Sequence, residues 1–423
     1  MRDRIFLSFL ILAGILVFAC RFGQPQTIPI ISTSTVQNIQ LPPPEITVTP
    51  EKRIQATQAP PTEITFDVRQ GFDLQIPRSM HTATLLLNGK ILLVGGSLEP
   101  DDFVADEELV DPVTGLSSWA APLHIKRHGH TATLLPDGRV LVVGGYGLPQ
   151  GWLDDAEVYD PDADTWTVLP PLFPHGVSHT ATLMKDGRVL VVGGCIGSGV
   201  CTEKAEIFDP KTNSWVNAQP LKSDRASHIA QLLADGRVLI AGGAGATNDR
   251  RADGDGVVYD PKKNTWTATG PMSKPRLFAQ SVLLSNGRVL VVSGILLEDS
   301  SNQILTNSTE IYDPASNTWT FASNLAEARY AFVLISLPNG QLLAVGGARN
   351  WDNSWGEDSF VYETEIYDPL TDQWHIAGNF PQPRAYATGI LLPNGNVWVA
   401  GGQFGQTGTK FPSETWLIIA SKF

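Results

Sequence analysis

From residue 78 onward the sequence repeats itself every 49 to 55 residues, and no other feature limits the fold as tightly. The phrase runs through an Arg, a His-Thr-Ala-Thr-Leu-like stretch, an Asn-Gly or Asp-Gly, an apolar run, a Gly pair, a variable segment and Glu-x-Tyr-Asp-Pro, with single parts lost in some copies. A Trp follows five residues after the Pro in all but the first copy. The Gly pairs are Gly95-Gly96, Gly144-Gly145, Gly193-Gly194, Gly242-Gly243, a degraded Ser293-Gly294, Gly346-Gly347 and Gly401-Gly402, which makes seven units. A unit of this length cannot bury an apolar face alone, so the units must stack on one another.

Each part of the phrase has a mechanical meaning. Asn88-Gly89, Asp137-Gly138, Asp186-Gly187, Asp235-Gly236, Asn286-Gly287, Asn339-Gly340 and Asn394-Gly395 sit between two apolar runs. Two-residue type I′ hairpins, with positive φ at both central residues, are expected there. Runs such as Val140–Val143 are apolar without alternation, the pattern of a strand covered on both faces. Asp111-Pro112 and its five equivalents fit type I turns, since Asp caps the turn and Pro presets φ. The tryptophans Trp119, Trp166, Trp215, Trp266, Trp319 and Trp374 are read as residues that pack sheet on sheet.

Gly-Gly, then Glu-x-Tyr, then Trp at a period near 50 resembles the kelch repeat, over about 345 residues. The resemblance implies an all-β fold, a seven-bladed kelch-type β-propeller with one four-stranded sheet per unit. The seventh unit ends before a fourth strand, and Ile64–Arg69 stands where that strand is needed, so the N-terminal strand is expected to close the ring.

Among the repeated polar residues, His81, His130, His179 and His228 share a position that becomes Ala279, Phe332 and Ala387 elsewhere. A position that accepts Ala and Phe reads as packing or strand hydrogen bonding rather than metal binding. Arg78, Arg127, Arg225, Arg276, Arg329 and Arg384 recur three residues earlier, with Gly176 as the exception. A Glu recurs as Glu108, Glu157, Glu206, Glu310, Glu365 and Glu414, with Val257 as the exception. The offset of these gaps predicts pairing of each unit's Arg with the next unit's Glu.

The chain begins with a different kind of segment. Met1–Arg4 is basic on balance and Ile5–Phe18 is an apolar run without charge. Fourteen residues at about 1.5 Å each make a helix of roughly 21 Å, short of the ~30 Å hydrocarbon core, so residues 1–20 read as an export signal. Its end, Val17-Phe18-Ala19-Cys20, resembles a bacterial lipobox, which implies lipidation of Cys20 and a membrane anchor; ordinary cleavage near Ala19 is the other reading. Residues 21–62 are rich in Pro, Thr and Ser without a period and read as a disordered stalk. The propeller then occupies residues 63–423. Setting Cys20 aside leaves Cys195 and Cys201, six residues apart, as a disulfide pair in an oxidising compartment.

The net charge of −13 and the lack of a clustered basic face argue against nucleic acid. No Gly-x-Ser-x-Gly elbow, phosphate loop or His-Glu-x-x-His is present. The copper oxidases that resemble galactose oxidase use a kelch propeller, yet the Tyr-His pair and the Tyr-crosslinked Cys that the resemblance requires are missing. No cofactor and no metal is expected, and Asp253-Gly-Asp255 is too sparse for calcium.

One face of such a propeller carries only tight turns, whereas the second-to-third-strand connections on the other run from 11 to 17 residues. Function is expected on that long-loop face. Candidate ligand-binding residues are Trp152 and Asp154 in the second unit, and Trp351, Asp352, Trp355, Asp358 and Tyr362 in the sixth. The overall reading is a monomeric, exported, non-catalytic binding propeller for a glycan or protein partner. The alternative is a metal-free, epimerase-like sugar enzyme working from acidic residues at the channel mouth.

Overall fold

The computed structural model describes residues 66–99, 102–104, 106–197, 200–245, 254–297, 303–350, 357–405 and 410–419. Cys20 and the stalk lie outside the described residues, as do Asp253, Trp351, Asp352 and Trp355. The apolar runs form the second strand of each unit, and Ile91–Val94, Val140–Val143, Val189–Val192, Val238–Ala241, Val289–Val292, Leu342–Val345 and Val397–Ala400 are buried along their whole length. Each pairs antiparallel with the strand before it and the strand after it. Seven four-stranded antiparallel sheets result among the described residues. In the last, Asp67–Asp73 pairs with Glu414–Ile419.

Burial on both faces follows from how the sheets stack. Apolar clusters fill each gap between successive units, as where Leu141 and Val143 meet Val189, Val191 and Phe208. Another joins Ile91 and Leu93 to Leu392, Trp398 and Ala400, so the last unit packs against the first. The first strands lie side by side, with Thr388–Leu391 against Thr82–Leu85. This is a β-propeller.

Three local expectations need correction. The Asn/Asp-Gly hairpins are not type I′, because only the glycines have positive φ. Leu86 and Lys90 are joined by a hydrogen bond around the loop Leu87-Asn88-Gly89, with Gly89 N–H donating to Leu86 O. That is a type I turn followed by a left-handed glycine, a three-residue loop. Second, Trp119 is not equivalent to the other tryptophans. Trp166 lies opposite Tyr159, whereas Trp119 lies opposite Glu108, two residues further along the ladder, and is 50% exposed.

The third correction concerns the arginines. Arg127, Arg276 and Arg329 pair with Glu157, Glu310 and Glu365 of their own units, the first two at 2.8 Å, and Arg78 lies 3.6 Å from Glu108. Every one of the six arginines also donates to the carbonyl 17 residues on, at the first position of its own Gly pair. The side chain thus spans the end of the second strand to the start of the third within one sheet. Unit three lacks the Arg because His175, one residue earlier, contacts Gly193 O and Glu206 in its place. What links neighbouring units is the arginine's backbone: Gly96 N–H donates to Arg127 O, and the series ends with Gly402 N–H to Arg78 O.

Candidate functional site

Between the Arg and the first strand every unit places three residues at the inner end of its sheet. The first bridges to the residue after the Gly pair, as in Ser79 with Ser97 and His128 with Tyr146. The second must then turn the chain into the strand. It does so in the left-handed region in all seven units: Met80, Gly129, Ser178, Ser227, Phe278, Ala331 and Tyr386 have φ between 52° and 64°. Six are not glycine, and each such conformation costs of order 1 kcal/mol unless its surroundings impose it. Neighbours do impose it, since Phe278 N–H donates to Ser227 O and Tyr386 N–H to Ala331 O, both at 2.9 Å.

The third residue is the histidine position. Thr82 Oγ1 shares a hydrogen bond with His130 Nε2, as do Thr131 with His179, Thr180 with His228, and Thr388 with His81, at 2.9–3.0 Å. These imidazoles bind unit to unit. Burial pushes His81 and His179 down to about 3, so they are neutral at physiological pH.

These three layers line a chamber of about 410 Å³ at the propeller axis. Its two halves differ. One carries His128, Ser178, His179, Ser227, His228 and Gln280; the other carries Phe278, Tyr330, Phe332 and Tyr386. Tyr330 and Tyr386 hydroxyls share a 2.6 Å hydrogen bond, and burial pushes Tyr330 up to about 12. No charged side chain is among the described residues lining the chamber, so the acidic groups expected at a catalytic channel mouth do not line it. Among the described residues no cluster of three His, Cys, Asp or Glu could hold a metal.

The chamber opens on the side of the long connections, because its residues lie where each first strand begins and each second strand ends. Several of those connections are short ribbons: Tyr146–Gly147 with Gly151–Trp152, and Ile295–Leu297 with Gln303–Leu305. Trp152 is half-buried, packed edge-on against Tyr146 at 5.0 Å. Asp154 beside it is exposed. Asp155 is occupied by a two-pronged contact to Arg127 at 2.9 and 3.0 Å. In the sixth unit Asp358 is exposed and Tyr362 is 43% exposed. Arg349 fastens the base of that connection by donating to Phe360 O at 2.9 Å and pairing with Glu363 and Glu327. In the third unit Cys195 and Cys201 form a disulfide. Trp152, Asp154, Asp358 and Tyr362 are not among the residues that line the chamber; the chamber residues and Arg349 were missed.

One buried acid lies outside the repeat logic. Glu107 is wholly buried, accepts the Gly95 N–H at 2.8 Å, and leaves its other oxygen without a partner. Burial is the largest cause that pushes it up to about 8, against the lowering effect of that hydrogen bond and of Arg78 and Arg127. A carboxyl raised from 4.5 holds a proton in the folded chain that the unfolded chain has lost, so stability falls as pH rises from about 4.5 to about 8. Glu107→Gln should remove that fall and raise stability at pH 7 by ~2 kcal/mol. Denaturant unfolding of both proteins between pH 5 and 8 checks it; parallel curves would refute it.

Residues 68–295 match the family described as the Attractin/LZTR1 beta-propeller. Kelch-like protein 40 of Mus musculus is 34% identical over 125 residues, 29% of this chain and 18% of that protein. Kelch-like protein 35 of Mus musculus is 29% identical over 161 residues, 38% of this chain and 25% of that protein. The chain thus spans a quarter or less of the length of these relatives. A solved fungal alcohol oxidase of the AA5 family, in complex with copper, superposes with a TM-score of 0.66 at 18% identity, covering 84% of this chain and 76% of that one. At that identity the likeness is one of fold.

Proposed function

The chain belongs to the Attractin/LZTR1 β-propeller family, and from that premise we propose that it is a non-catalytic binding propeller that holds a protein partner on its long-loop face. The observation that carries this is the contrast between the two faces. One has only tight turns, while the other has ribboned connections that leave Asp154, Asp358 and Tyr362 exposed. The kelch-like relatives support a protein partner over a glycan.

The propeller of this proposal is a ring of seven blades, closed by pairing of the N-terminal strand with the last unit. The inter-unit clusters support it, as does the bond from Gly402 to Arg78. Export and anchoring through Cys20, with residues 21–62 as spacer, complete the reading. Asp67 pairs with Ile419, at the end of the sheet where other units carry Asp-Pro turns.

Trp351, Asp352 and Trp355 belong to the same connection as Asp358 and Tyr362, and are part of the proposed contact by sequence. Tyr362→Ala combined with Asp358→Ala should weaken the captured partner by about 2 kcal/mol, in the range of an aromatic hot spot, without changing Tm. Leu370→Ala, on a tight turn and 93% exposed, is the control. If the control releases the partner and the double variant keeps it, the binding face is the opposite one.

A further inference from the structure

The axial chamber is lined in part by polar side chains whose hydrogen-bonding capacity the fold does not use, among them the buried Nδ1 atoms of His81, His128, His179 and His228. His128 is 4% exposed, lies against Phe103 at 4.8 Å between ring centres, and neither ring nitrogen has a partner among the described residues. The side chains of Ser178, Ser227 and Gln280 line the same wall. Phe278, whose N–H donates to Ser227 O, and Tyr386 add aromatic surface to the same lining.

We propose that this chamber binds one uncharged polyhydroxylated ring, of the hexose class, with its C–H face on Phe278 and Tyr386 and its hydroxyls on His128, Ser178, Ser227 and Gln280. The volume of about 410 Å³ lies within the range of small-molecule sites. A charged ligand would be desolvated with no counter-ion, since no charged side chain lines the wall. His128 supplies no charge either, because burial pushes it down to about 4. A wholly apolar ligand would strand the imidazole and amide without water or partner, which penalises it. A sugar ring satisfies both walls. The ring could come from a free monosaccharide or from the end of a neutral glycan, and the chemistry of the wall is the same for either. This inference rests on the chamber alone and stands apart from the partner on the loops.

Calorimetric titration of the purified full chain with D-glucose, D-galactose and D-mannose, and with D-glucuronate and D-galacturonate, tests it. At least one neutral hexose should bind saturably, with the uronates about tenfold weaker or more. His128→Phe and Gln280→Met, which keep volume and lose polar atoms, should each weaken that hexose about tenfold at unchanged Tm. If one of the two lowers Tm, the other decides. A neutral trisaccharide ending in the same hexose that binds as well assigns a glycan end; binding of the monosaccharide alone assigns the free sugar. Absence of binding at concentrations about tenfold above a roughly 1 mM Kd would overturn the proposal, as would equal affinity for the uronates or unaffected binding in both variants. Capture of the protein partner by the same two variants should be unchanged, so the two readings fail separately.

Discussion

Arg276→Met should destabilise the protein by about 3–5 kcal/mol, the cost of leaving a buried carboxylate without its cation. Both Arg276 and Glu310 are fully buried, and their contact is 2.8 Å. The guanidinium also donates to Ser293 O at 3.2 Å and Lys274 O at 2.9 Å, so its loss frees the Gly-pair corner as well. Glu310 keeps two backbone donors, Ser273 and Lys274, at 2.8 and 2.9 Å. These are enough for a neutral amide but not for an ion, so Arg276→Met with Glu310→Gln should recover more than about 1 kcal/mol of the loss. Equal destabilisation of the single and double variants in urea would place the cost in the carbonyl contacts and not in the ion pair.

The same arginines show what could and could not be read from the chain. A position-by-position comparison sees Gly176 as a missing Arg, because it cannot see that His175 reaches the same two acceptors from one residue earlier. The apparent match between that gap and Val257 then suggested pairing across units, whereas a side chain spanning strand ends closes on its own sheet. The hairpins were misread for a related reason. The first loop residue is Leu87 in the first unit, which looks like the end of a strand, yet it is 73% exposed. Pro136, Pro338 and Pro393 at that position carried the correct message, since Pro opens a type I turn and cannot extend a strand.

The histidines were more legible than they first looked. Each His follows a Thr in the unit before: Thr82 with His130, Thr131 with His179, Thr180 with His228, Thr388 with His81. Where that Thr is Ile229, Gln280 or Val333, the partner is Ala279, Phe332 or Ala387. This covariation names the neighbour in space and includes the step from the last unit to the first. The chamber was not legible in the same way. It takes residues from every unit, and only the stacking of sheets brings them together. Its one trace in the sequence is a position where a regular phrase loses its consensus, running Met80, Gly129, Ser178, Ser227, Phe278, Ala331, Tyr386. Variation confined to one register of a repeat marks a surface that the repeat itself does not need.

Deleting residues before Arg78 should have the largest effect of all. The strand Asp67–Asp73 covers the edge of Glu414–Ile419, and Leu74 N–H donates to Ser413 O at 2.8 Å while Thr415 Oγ1 donates to Phe72 O at 2.7 Å. Leu74 is buried in the cluster between the last unit and the first, with Phe72 against it, and Phe66 and Val68 pack on the cluster of units six and seven. At 1.5–3 kcal/mol or so per fully buried side chain, and less for the partly buried ones, the segment contributes about 5 kcal/mol. That is comparable to the entire stability of an ordinary domain. The truncated chain would also expose an unpaired strand edge beside a stripped apolar face, the combination that promotes association between copies. The expected result is therefore unfolding at moderate temperature or conversion to oligomers, seen by melting and light scattering together. A truncated chain that stays monomeric at unchanged Tm would mean that the last blade is held by its three own strands, and would overturn the proposed closure by the strand Asp67–Asp73.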